Sequence, residues 1–247
     1  MKNKGLMKVV VLEILIISFF TVNGAYVSLT SPSNAFMQYV GLVPLMIGIL
    51  FYLLIKRKWG DYFSLSKLKP CKETLVLCSP LVLVLAILFF SNGGIESGSI
   101  TTLITVIVTQ IMIVAFIEEM VFRGFMMNVL ISNGYKVAVI VSSLLFALTH
   151  SLQLLSGKSL EDTILQITYA FFIGMVLSLL IVNKQSIIIA IAFHGLNNFF
   201  IIMSTNNGAS IFNYFLILIL IIHSGYLWNV ASKTSKVITE HITKVAV

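Results

Sequence analysis

Eight long apolar runs decide what this chain can fold into. They fall at about 8–29, 36–55, 74–91, 104–131, 137–155, 163–183, 186–203 and 209–230. An α-helix of roughly 18–25 residues crosses a hydrocarbon layer of ~30 Å, and these runs have that length. The strands of a membrane β-barrel would instead read as shorter segments of alternating polarity. With 58% hydrophobic and 10% charged residues, the chain also lacks the charge that a water-facing surface of this size requires. The sequence therefore predicts an all-α, polytopic membrane protein of about eight transmembrane helices. We read it as a single transmembrane domain, 1–247, with a motif-bearing core at 104–203.

The connections between runs carry the charge. Lys2, Lys4 and Lys8 precede the first run, and Lys56, Arg57, Lys58, Lys67, Lys69 and Lys72 follow the second. Lys136 and Lys184 occupy two later connections, and Lys233, Lys236 and Lys244 the tail. These are alternate connections and hold 14 of the 16 basic residues; the opposite side keeps only Lys158. Basic loops remain in the cytoplasm, which predicts an integral membrane protein with both termini cytoplasmic. A formal net charge of +7 would otherwise suggest nucleic acid, but charge placed by topology needs no such partner. The lipid bilayer is the implied partner, and KRKWGDYF at 56–63 reads as a segment lying along its headgroups. Glu13 interrupts an otherwise signal-like start, so that run is read as a retained span. Cys71 and Cys78 lack metal-type spacing and are read as free thiols. Asn206-Asn207-Gly208 and Ser132-Asn133-Gly134 read as loop punctuation.

Ionisable side chains inside a span cost ~2.5–3.5 kcal/mol each, so those present tend to face the bundle interior and mark function. The fourth run holds Glu118, Glu119 and Arg123, the fifth His150, and the seventh His194 with Asn197 and Asn198. Each group falls within a few residues of the middle of its run, which predicts one shared layer. Glu119 and Arg123 stand four apart and can pair on one helix face; Glu118 is turned ~100° away and stays available for another partner. Phe146 sits one turn from His150, and His194 one turn from Asn198. His223 in the last run reads as structural, and Gly124 and Gly174 as points of close helix approach.

These parts suit amide hydrolysis. A carboxylate and an imidazole can hold and deprotonate water, and two side-chain donors can stabilise the oxyanion. Burial and a cationic neighbour pull a carboxyl such as Glu118 in opposite directions, and spacing leaves that balance open. The cofactor also stays open. Glu118, His150 and His194 offer three ligands to Zn²⁺, while a Glu–His pair activates water without metal; there is no HExxH, and the metal-free arrangement is preferred.

The three patterns E118-E-M-V-F-R123, F146-A-L-T-H150 and H194-G-L-N-N198 resemble the EExxxR, FxxxH and HxxxN motifs of the CAAX protease and bacteriocin-processing (Abi) family. They span about a third of the chain. The resemblance implies an eight-helix intramembrane endopeptidase similar to type II CAAX prenyl endopeptidases, acting on a membrane-associated protein or peptide in a prokaryotic plasma membrane. By motif it implies Glu118 as general base, His150 as a holder of the attacking water, and His194 with Asn198 as the oxyanion site. Glu119, Arg123 and Phe146 would support them. Two other expectations compete: a catalytically silent bacteriocin-immunity or scaffolding protein of the same fold, and a proton-coupled transporter, for which matched broken helices are lacking.

Overall fold

The computed structural model describes residues 2–63, 70–91, 94–95, 98–152, 159–204 and 211–245, with side chains between 4 and 233. Lys67, Lys69, Lys158 and Asn206-Asn207-Gly208 lie outside those residues, as do the side chains of Lys2, Lys236 and Lys244. Helices form the regular structure among the described residues, apart from one Ile95–Ser204 bridge. They are α1 (Lys2–Thr30), a 3₁₀ turn (Met37–Leu42) leading into α2 (Val43–Ile55), the short α3 (Trp59–Phe63), and α4 (Cys71–Ser91). Then come α5 (Ile100–Asn133), α6 (Tyr135–Thr149), α7 (Leu160–Val182), α8 (Ile187–Ile202) and α9 (Ile211–Val245). Among the described residues seven stretches are long and apolar enough to cross a membrane, and α8 is a shorter apolar helix. This is the all-α polytopic architecture that the apolar runs predict.

Local chemistry explains the helix boundaries. Ser99, Ser159 and Ser186 stand before α5, α7 and α8, and each hydroxyl accepts a backbone N–H of the first turn. Gly134 turns the chain between α5 and α6 at φ +97°, a conformation that a side chain would strain. Pro80 interrupts α4, and its missing N–H deprives the Val76 carbonyl of a helical partner. The Ser79 hydroxyl donates to that carbonyl at 3.2 Å. His223 Nε2 donates to the neighbouring Leu77 carbonyl at 2.9 Å, tying α9 to α4 one turn before Pro80. The structural reading of His223 thus has a specific partner.

Packing makes α5 the axis of the bundle. Ile100, Ile104, Val108 and Met112 are exposed at four-residue spacing, but every residue from Ile113 to Gly124 is buried. One apolar core joins α1, α2, α5 and α6, and a second joins α4, α7 and α9. The helix α8 stands between them: Ile187 and Ile191 face the first, Ala190 and Phe193 the second. A charge on α5 is therefore met by neighbouring helices and not by acyl chains.

Two glycines let helices close on that axis. A Cβ at Gly174 of α7 would lie 3.1 Å from the Ser143 Cα and 3.2 Å from Nη2 of Arg123. At Gly195 of α8 it would meet Ile111 of α5, with Cγ1 at 2.5 Å and Cα at 2.8 Å. The obstruction at Gly195 includes backbone, which cannot rotate aside. Gly195→Ala should cost about 1–3 kcal/mol by overpacking and lower the thermal midpoint in detergent. Gly48→Ala on α2, where no atom lies within 4 Å of the new methyl, should leave the midpoint unchanged or raise it.

Candidate active site

The site begins with a departure from regular α-helix in α5. Phe116 N–H donates to the Ile111 carbonyl and Met127 N–H to the Phe122 carbonyl, each five residues back. Two π-helical stretches, Gln110–Ala115 and Met120–Met126, therefore flank the α-helical turn Phe116–Glu119. Each π-turn absorbs about one extra residue and rotates everything beyond it, a feature frequent at functional sites. The Ser142 hydroxyl of α6 donates to the Phe122 carbonyl at 2.9 Å, pinning the second stretch.

Glu119 is fully buried, and its Oε1 accepts two hydrogen bonds. Arg123 Nη1 donates at 2.9 Å, the pairing that the four-residue spacing predicts, and His194 Nδ1 of α8 lies at 2.7 Å. Such charge-assisted bonds compensate the desolvation of three buried groups. The Arg123 guanidinium also lies 4.2 Å from the centre of the Phe146 ring, a cation–π contact. On its other side His194 turns Nε2 toward Glu118 Oε2, at 3.4 Å. The two adjacent acids thus hold one imidazole between them.

Phe146 organises the second histidine too. Its ring meets His150 edge-on at 5.0 Å and His194 at 5.6 Å between centroids. The α-helix α6 ends at Thr149 and 150–152 continue it as a 3₁₀ turn, so His150 lies at the change of helix type within the span Tyr135–Leu152. The Thr149 hydroxyl and His150 Nδ1 both reach back to the Phe146 carbonyl, at 2.6 and 2.9 Å. Side-chain donors that capture a carbonyl in this way compete with the next helical turn. Because that carbonyl can only accept, Nδ1 of His150 carries the proton and Nε2 presents a lone pair.

Glu118, His150 and Asn198 line one cavity of about 880 Å³. Its far wall is α1, from Ile16 to Ser28, together with Gln38 and Tyr39 ahead of α2. Asn23 fastens that wall, donating to the Gln38 carbonyl at 2.9 Å and accepting the Gly41 N–H at 3.0 Å. The expected face carrying both His194 and Asn198 is present, but the two engage different partners. His194 meets the glutamates, while Asn198 Nδ2 donates to Gln110 Oε1 at 3.2 Å. Asn197 accepts the Tyr169 hydroxyl at 2.6 Å. Gln110, Tyr39, Asn23 and Tyr169 do not emerge from a search for charged residues within spans. The signal for Gln110 was its lone amide in VTQIMIV; the others belong to runs without a motif.

Both histidines engage Nδ1, His150 with the Phe146 carbonyl and His194 with Glu119, which leaves Nε2 of each as the nitrogen that could meet a water or an ion. Among the described residues no three His, Cys, Asp or Glu side chains are grouped closely enough to hold a metal ion.

Residues 99–200, from the Ser99 cap of α5 to Phe200 of α8, match the family model described as type II CAAX prenyl endopeptidase, Rce1-like. The match covers 102 of the 247 residues. All three motifs fall inside it, and the resemblance drawn from them agrees with the match. The family is one of CAAX-type membrane proteases. No curated protein matches the chain.

If the Arg123–Glu119 contact sustains the domain, Arg123→Met should cost about 3–5 kcal/mol by leaving a buried carboxylate short of a partner. Adding Glu119→Gln to that variant should recover part of the loss. Thermal unfolding in nanodiscs, followed by tryptophan fluorescence, measures both.

Proposed function

We propose that the protein is an intramembrane endopeptidase, hydrolysing a peptide bond in a membrane-associated protein or peptide by water activated between Glu118 and His150. The observation that carries this reading is the cavity that Glu118, His150 and Asn198 share, with His194 directly behind Glu118. It is large enough for a short stretch of peptide, and α1 separates it from lipid on one side.

In this reading the attacking water donates one hydrogen bond to the Glu118 carboxylate and one to Nε2 of His150. Both are acceptors, so the oxygen lone pair is left facing the substrate carbonyl carbon. Glu118 takes the proton as the new C–O bond forms, and the carbonyl π electrons move onto oxygen. Asn198 donates an amide N–H to that oxyanion, and His194, whose ring nitrogens face Glu119 and Glu118, orients the base. Glu118 then returns the proton to the amide nitrogen as the C–N bond breaks, releasing an amine and a carboxylic acid that ionises by passing its proton to the amine.

The junction behind the cavity is closed: His194 Nδ1 bonds Glu119, which also accepts Arg123, while His194 Nε2 faces Glu118 at 3.4 Å. Glu119 and Arg123 hold the imidazole without touching substrate. No metal takes part in this scheme. The basic connections at Lys56–Lys58, Lys136 and Lys184 would face the cytoplasm of a prokaryotic cell, with both termini on that side.

The test is proteolysis in proteoliposomes that contain the host's extracted membrane proteins, with new amino termini read by mass spectrometry. Glu118→Gln and His194→Ala should each lower release by about 10²–10⁴-fold while remaining folded. Release that survives both substitutions would favour a binding protein, of immunity or scaffold type, over a hydrolase. Treatment with 1,10-phenanthroline should leave the rate unchanged; inhibition reversed by zinc would overturn the metal-free scheme.

A further inference from the structure

Gln110 lies eight residues before Glu118, a separation that in regular α-helix turns a side chain ~80° off the Glu118 face. The π-turn from Gln110 to Ala115 changes this. With about one residue absorbed, the separation counts as roughly seven, close to two full turns, and Gln110 returns to within ~20° of that face. Both side chains line the same cavity.

Gln110 is 1% exposed, and its side chain is directed at the site. Its Oε1 accepts Asn198 Nδ2 at 3.2 Å, and Tyr39 lines the cavity beside the same side chain. Its Nε2 is buried and, among the described residues, meets no acceptor. The amide is thus held through its oxygen by a residue of α8. The close approach of Gly195 to Ile111, next along the chain from Gln110, fixes α8 against this turn.

An asparagine amide has two faces of opposite use to an oxyanion: its N–H stabilises the charge and its carbonyl oxygen repels it. Rotation about the last side-chain bond exchanges them. An acceptor that takes one N–H of Asn198 leaves the second N–H free and forbids the exchanged orientation.

On the endopeptidase reading above, we propose that Gln110 is a positioning residue, locking the Asn198 amide so that an N–H faces the reacting carbonyl. Gln110 acts through Asn198 and need not touch substrate.

Two measurements test this. The first uses the earliest peptide released in the proteoliposome assay, synthesised and titrated against wild type, Gln110→Leu, Asn198→Ala and the double variant. Gln110→Leu should lower kcat by roughly 10- to 100-fold with KM within about twofold. It should have no further effect once Asn198 is alanine. The second uses protein labelled with ¹⁵N-asparagine in nanodiscs. The two side-chain amide protons of Asn198, assigned by their loss in Asn198→Ala, should be widely split in wild type and collapse together in Gln110→Leu.

An active wild type with a fully active Gln110→Leu variant overturns the proposal alone. So does a loss that multiplies that of Asn198→Ala, or an unchanged Asn198 amide signal. A wild type that releases no new termini overturns the endopeptidase reading first, and this role falls with it.

Discussion

One carboxylate oxygen, Oε1 of Glu119, joins the helices that build the site. It accepts Arg123 from its own helix and His194 from α8, both at hydrogen-bond distance and out of contact with solvent. Arg123 is in turn held over the Phe146 ring of α6 and closed in by Gly174 of α7. Four helices thus meet around two ion-paired groups. In a low-dielectric interior such groups are costly apart and compensated together. The arrangement specifies which helix faces which, because apolar surfaces alone would accept several registers.

The bilayer explains why this polar junction sits on α5. Helices that cross lipid gain little from burying apolar surface against each other, so close packing and interhelical hydrogen bonds carry the specificity. The buried stretch Ile113–Gly124 gives α5 neighbours on all sides, and its charges never contact acyl chains. Small residues supply the closeness: Gly174 against Ser143, and Gly195 against the backbone of Ile111. The polar cavity then opens to one side of this axis and is walled by α1, whose outer residues, among them Val10, Ile14 and Val22, are exposed.

Much of the architecture could be read in the sequence because membrane helices are long and apolar and their connections carry the charge. Contacts at four-residue spacing, Glu119 with Arg123 and Phe146 with His150, follow from helix geometry and are present in the structure. Three things could not be read. The π-turns leave no mark in composition, yet they decide that Gln110 shares a face with Glu118. The change from α-helix to a 3₁₀ turn after Thr149 goes with side chains that capture the Phe146 carbonyl, a local competition hidden within an apolar run. The contribution of α1 arises from tertiary packing, and neither Asn23 nor Tyr39 stands beside a motif. The residues that bind one another across helices, such as Tyr169 with Asn197, likewise have no sequence spacing to betray them.

The adjacent glutamates show how one helical step separates two duties. Glu118 and Glu119 differ by ~100° around α5, enough to send one side chain into the cavity and the other into the packed junction. Glu119 is saturated on Oε1 by Arg123 and His194, so its charge is committed to holding the imidazole. Glu118 lines the cavity and meets that imidazole at the longer distance of 3.4 Å, which leaves it open to a substrate water. In the proposed reaction a base must exchange a proton at every turnover while its surroundings keep their geometry. A single carboxylate serving both ends would release its imidazole each time it became protonated. Two neighbouring acids avoid that conflict, and the doubled glutamate of the motif has in this a physical reason for being double.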